Sequence, residues 1–75
     1  MNKYYISHVI IKGHVLYLGG ALSIEDAVKL AREFESKGYT YHLSEKTDEN
    51  KYESISLKTL EERLRTIQSQ KNKKF

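Results

Sequence analysis

The sequence predicts an α+β domain with its elements in ββαββα order, and three observations lead there. Residues 22–34 align without a gap on residues 55–67, so that Ser23 falls on Ser56, Ile24 on Leu57, Ala27 on Leu60, Ala31 on Leu64, Arg32 on Arg65 and Phe34 on Ile67. Each of these stretches has apolar residues at helical spacing behind a serine that suits an N-cap. Each also follows a region of alternating β-branched and aromatic residues, which fit a pleated, half-buried surface. Two units are too few for a repeat protein, and two capped amphipathic helices look alike in any case.

The first strand is expected over residues 3–11, Lys-Tyr-Tyr-Ile-Ser-His-Val-Ile-Ile, and the second over His14–Leu18. Lys12-Gly13 between them suits a two-residue hairpin turn, because glycine accepts positive φ without cost. That turn pairs Ile11 with His14, Ile10 with Val15, Val9 with Leu16, His8 with Tyr17 and Ser7 with Leu18. Gly19-Gly20 ends the hairpin. Ser23 then caps the first helix, with Asp26 three residues on in the position of a capping box. Leu22 is placed to pack on Ala27. Ile24, Ala27, Val28, Leu30, Ala31 and Phe34 form one broad apolar face, Glu25–Lys29 and Glu33–Lys37 are i,i+4 pairs, and Gly38 suits a left-handed C-terminal residue. The helix is expected over about 24–37.

Residues 39–46 alternate again, and 47–51 are polar and turn-like. A return strand is expected at 52–56, although two serines and a glutamate lower its propensity. A five-residue loop sets Ile55 beside Leu43 and collects apolar residues on one face; a four-residue loop sets Ile55 beside His42. The first register is preferred because a one-residue slip would turn every side chain over. The second helix is expected from Leu57 to Gln70, with Leu57, Leu60, Leu64 and Ile67 inward. Residues 1–70 make a single domain, and 71–75 a basic flexible tail.

At 75 residues the chain buries a small core, so its stability is marginal. It has no cysteine, hence no disulfide or thiolate chemistry, which fits a cytoplasmic location. No apolar run is long enough to span a membrane, and the start of the chain lacks the apolar stretch of a signal peptide. The net charge is +3, yet residues 1–70 hold ten basic and ten acidic side chains, so Lys71, Lys73 and Lys74 supply the excess.

No motif for catalysis or metal binding is present, and no cofactor is implied. His8, His14 and His42 lack the spacing of a zinc site; on the hairpin register His8 and His14 face opposite ways, whereas His8 and His42 meet only if their strands are neighbours. No serine sits in a Gly-x-Ser-x-Gly turn. Gly19-Gly20 before a helix has neither the spacing nor the lysine of a phosphate loop, and Glu25 and Asp26 would repel an anion there. The acidic residues read as solvated rather than as a pair with separated pKa values. The chain is therefore expected not to be an enzyme. Strands followed by a helix opening Ser23-x-x-Asp26-Ala27 resemble the arm-type DNA-binding domains of integrases. Those have three strands before the helix; here there are two, with only Lys3 and Lys12 basic, so the family is not assigned.

The six tyrosines all lie in or beside expected strands. A straight first hairpin has two apolar faces: Tyr5, Val9, Ile11, Leu16 and Leu18 on one, and Tyr4, Ile6, His8, Ile10, Val15 and Tyr17 on the other. If both helices cover the first, the second is left as an exposed patch of the kind that marks a protein contact. If the second helix crosses over, it is covered. The expected function is a non-enzymatic protein-interaction module, such as a small inhibitor, an adaptor or a homodimeric accessory protein. It would dock a protein partner or a second copy through Tyr4, Ile6, His8, Ile10, Val15 and Tyr17. The composition also suits an accessory protein of a mobile element. The alternative is a nucleic-acid-binding or regulatory protein, with Arg63, Arg65, Lys71, Lys73 and Lys74 on phosphates and Tyr4, Tyr17 and His42 stacking on bases.

Overall fold

Lys12 and Gly13 have φ of 50° and 82°, the two positive values that a type I′ turn requires. The turn joins β1 (Tyr4–Ile11) to β2 (His14–Leu16). The register is the expected one, Ile11 opposite His14, Ile10 opposite Val15 and Val9 opposite Leu16. β2 stops there, so Ser7 and His8 have no strand partner on that side. A computed structural model describes residues 2–71 of the chain. Its elements continue with α1 (Ile24–Ser36), β3 (Thr40–Asp48), β4 (Lys51–Ser54) and α2 (Leu57–Lys71), and the antiparallel sheet has the order β2-β1-β3-β4. The α+β class and the ββαββα order are as the sequence predicts.

The feature that decides the rest is a bulge in β1. Ser7 pairs with His42 and Ile10 with Thr40, so His8 and Val9 together oppose one residue of β3. His8 takes up the extra length with φ of 52°, a left-handed conformation that histidine adopts more readily than most residues. The bulge resets the alternation. Tyr4, Ile6 and Val9 all point to one side and are all buried, whereas a straight strand would have sent Val9 to the side opposite Tyr4 and Ile6.

Both helices cover that side. The core joins Tyr4, Ile6, Val9 and Leu43 of the sheet to Ala27, Val28 and Ala31 of α1 and Leu60 of α2. The helices are also linked to each other, with Arg32 Nε donating to Glu61 Oε2 at 2.7 Å. α2 therefore does not cross the sheet. Ile67, expected to face inward, is 39% exposed, because the narrow apolar stripe of α2 runs on past the core.

The serines of the internal match serve the same local purpose. Ser23 Oγ accepts from the Asp26 N–H at 3.1 Å, and Ser56 Oγ from the Thr59 N–H at 3.2 Å. Each satisfies one of the free donors at a helix start. Before α1, Leu22 bridges back to Tyr4, with N–H···O distances of 2.7 and 3.1 Å. At the other end of α1, Gly38 has φ of 75°. Its N–H bonds to Glu35 O at 3.1 Å and the Tyr39 N–H to Phe34 O at 2.9 Å, the paired bonds of a Schellman motif. The Phe34 and Tyr39 rings, 6.0 Å apart, supply its apolar contact, and Glu33 meets Lys37 at 3.2 Å as expected.

In the second hairpin the Ile55 N–H bonds to Leu43 O at 3.0 Å, the preferred register. The strands run closer to the turn than expected, to Asp48 and from Lys51, with an irregularity between Lys46 and Asp48. Among the described residues no helix is long and apolar enough to cross a membrane.

Candidate functional site

Residues directly opposite in an antiparallel pair point to the same side of the sheet. The side away from the helices thus receives Tyr5 and Ser44, Ser7 and His42, Ile10 and Thr40, Ile10 and Val15, Ser44 and Ser54, and Lys46 and Tyr52. None of these positions holds a carboxylate. Glu45 and Glu53, which oppose each other on β3 and β4, alternate to the helix side.

Aromatic rings cross this outer face in two rows. In one, His8 lies edge-on to Tyr17 at 5.1 Å and to His42 at 6.1 Å. Ser7 Oγ shares a hydrogen bond with His8 Nδ1 at 3.0 Å, and Ser54 Oγ one with His42 Nε2 at 3.4 Å. In the other, Tyr5 meets Tyr52 edge-on at 5.4 Å, and Lys46 Nζ lies 6.0 Å from the centre of the Tyr52 ring. Tyr17 is 73% exposed and Tyr52 55%. Edge-to-face packing orders the rings without burying them. Strand adjacency does bring His8 and His42 together, but among the described residues no cluster of three metal-ligating side chains forms.

The surface expected from the sequence is corrected by the bulge. His8, Ile10, Val15 and Tyr17 are exposed, but Tyr4 and Ile6 belong to the core. Tyr5, assigned by straight alternation to the covered face, stands on the outer one. His42 and Tyr52 complete the surface from β3 and β4. The pair Ser7-His8 between two apolar triplets, Tyr4-Tyr5-Ile6 and Val9-Ile10-Ile11, is the sequence signal of this shift, because only an extra residue lets positions 4, 6, 9 and 11 share a side.

Of the alternative set of basic residues, Arg63 is engaged within the fold. Arg63 Nη1 donates to Glu45 Oε1 at 2.8 Å and to the Tyr4 hydroxyl at 3.3 Å. Lys3 Nζ meets the other oxygen of Glu45 at 3.0 Å. Burial works to raise the Glu45 carboxyl, but the hydrogen bonds from Arg63 and Lys3 outweigh it and hold the group below its ordinary range. The hydrogen bonds that Arg63 donates, to Glu45 first and to Tyr4 second, raise Arg63 in turn. Arg63 is thus a clasp between α2 and the sheet. Arg65 is exposed on α2. Tyr4, expected to stack on a base, is buried beneath Arg63. Lys73 and Lys74 lie outside the described residues, as does the side chain of Lys71, so the tail is not placed.

A groove of about 720 Å³ opens beside this clasp, lined by Lys3, Tyr4, Ile24, Glu45, Arg63 and Ile67 among others. Lys3, Glu45 and Arg63 pair with one another there, and Glu45 is held ionised rather than poised to exchange a proton near neutral pH. The outer sheet face is the more distinctive feature. No protein-family model, curated protein or solved structure matches the chain.

Proposed function

We propose that this chain is a non-enzymatic interaction module of the inhibitor or adaptor kind, which docks a protein partner on the outer face of its sheet. One observation carries this: both helices lie on one side, leaving Tyr5, His8, Ile10, Val15, Tyr17 and Tyr52 uncovered on the other. A sheet face left to water ordinarily alternates to polar residues, and tyrosine is enriched where protein surfaces meet. The rings are ordered by their neighbours before any partner arrives, which reduces the entropy lost on docking. The neutral body of the chain favours a protein partner over a polyanion. The cytoplasm is its proposed location, on the strength of a cysteine-free composition.

A second reading, binding of single-stranded nucleic acid, is favoured by a specific observation. The aromatic rows lie on a face that carries Lys46, His8 and His42 and has no carboxylate at its paired positions, and stacking on such rings tolerates any base.

A photocrosslinker placed at Tyr52, with a control at the exposed Lys29 of α1, tests the proposal in cells of the native source. The expected result is a discrete protein adduct at position 52 that is absent at 29 and lost in a Tyr5→Lys background, with far-UV circular dichroism unchanged. Equal adducts at both positions would contradict it. Salt-sensitive binding of a fluorescent oligonucleotide that His42→Ala abolishes would establish the second reading instead.

A further inference from the structure

We infer that β2 is a pairing edge for a second copy of this chain, joining two sheets into one of eight strands. This rests on the edges of the sheet and not on the docking role of its outer face.

The two edges are built differently. β4 reads Lys51-Tyr52-Glu53-Ser54 and is charged, which is how natural proteins discourage strand addition. β2 has no such guard. Between Lys12 and Glu25 the sequence contains no Asp, Glu, Lys or Arg. All three β2 residues are exposed, with Val15 on the outer face and Leu16 on the helix side, each 47% exposed. Leu18, just beyond, is 40% exposed. No proline or lysine interrupts the strand.

The turn fixes which backbone groups are free. Residues flanking a two-residue turn exchange both hydrogen bonds, so Ile11 and His14 are bonded to each other. The next pair, Ile10 and Val15, is then the non-bonded kind. The N–H and C=O of Val15 therefore point away from β1, along the open edge. An antiparallel copy centred on Val15 receives both, Val15 meeting its own equivalent and His14 standing opposite the copy's Leu16. On the outer side the two Val15 side chains come together, and on the helix side each Leu16 lies against the copy's His14.

A second copy suits this edge better than other strands do. The segment has no charge to repel itself. Pairing β2 with β2 closes on a two-fold axis and buries both unguarded edges, leaving only the two charged β4 strands outside. Pairing β2 with the β4 edge of another copy would leave an open chain of molecules instead. A domain with a core this small also gains stability by association.

Sedimentation velocity over a concentration series tests the inference, with amide hydrogen exchange alongside. The wild type should sediment as a dimer at the upper end of the series, and the Val15 N–H should become more protected as concentration rises. Val15→Lys should sediment as a monomer throughout, with circular dichroism like that of the wild type. Val15→Pro, which removes the outward N–H but no bond to β1, should do the same; should that variant unfold, Val15→Lys decides. Tyr52→Lys should remain a dimer. A monomeric wild type, a dimer that survives Val15→Lys, or one split by Tyr52→Lys would overturn the inference.

Discussion

Replacing His8 with valine separates a bulged β1 from a straight one by the sign of its effect. In a regular strand, valine in place of an exposed histidine is favourable by up to about 1 kcal/mol. Here His8 has φ of 52°. A non-glycine residue in that region carries on the order of 1–3 kcal/mol of strain, and a β-branched side chain tolerates it worse than histidine does. His8→Val should therefore destabilise the domain by about 1 kcal/mol, for a chain of this size a fall of about 4–8 °C in melting temperature. Loss of the ring contact with Tyr17 contributes as well, and His8→Asn isolates it, since asparagine lacks the ring but accepts the backbone. Urea titrations of the wild type and both variants give the comparison. His8→Asn is expected to be the more stable of the two variants. If His8→Val proves as stable as His8→Asn, or more so, the strand is straight and Tyr4 and Ile6 are on the wrong side.

Further substitutions probe the other supports. Ala31→Asp buries an unpaired charge where Ala31 is 0% exposed and should abolish the folded circular dichroism signal; an unmoved melting curve would contradict the packing of α1. Ser23→Ala and Ser56→Ala each remove a cap and should cost about 1 kcal/mol in urea titrations. The Glu45 carboxyl is depressed in the folded state, so its contribution to stability is present above the unfolded value of about 4.3 and is lost as pH falls through the folded one. Glu45→Gln should thus be less stable than wild type at neutral pH, with the gap closing in acid below about pH 4; a gap of equal size at both pH values would show that the pairing with Arg63 and Lys3 contributes nothing.

Much of the fold was legible because local chemistry and long-range packing agree. The serine caps, Gly38 and the Lys12-Gly13 turn each name one backbone geometry, and the apolar spacing of Ile24 to Phe34 fits only a helix. The register of the second hairpin followed from keeping Leu43 and Ile55 on one side. What escaped was the bulge, since strict alternation along β1 gives two apolar faces and propensity does not choose between them. The choice is made by tertiary packing, where Tyr4 reaches Arg63 and Ile6 joins Leu60 in the core. For the same reason four of the six expected surface residues were found and two were not. Tyr5, His42 and Tyr52 required knowledge that β3 lies beside β1, with β4 beyond it. The return of Leu22 to Tyr4 had no local signal, because a single bridge leaves no periodicity to read.

The side of the sheet that faces water is tested most directly by photo-CIDNP NMR, which polarises tyrosine rings that a dissolved dye can reach. Tyr52, on the edge far from β2, should give a strong signal, and Tyr17 should join it. Tyr4, 4% exposed and beneath Arg63, should give none. A polarised Tyr4 beside a silent Tyr52 would contradict the placement of both helices and, with it, the surface proposed to meet a partner.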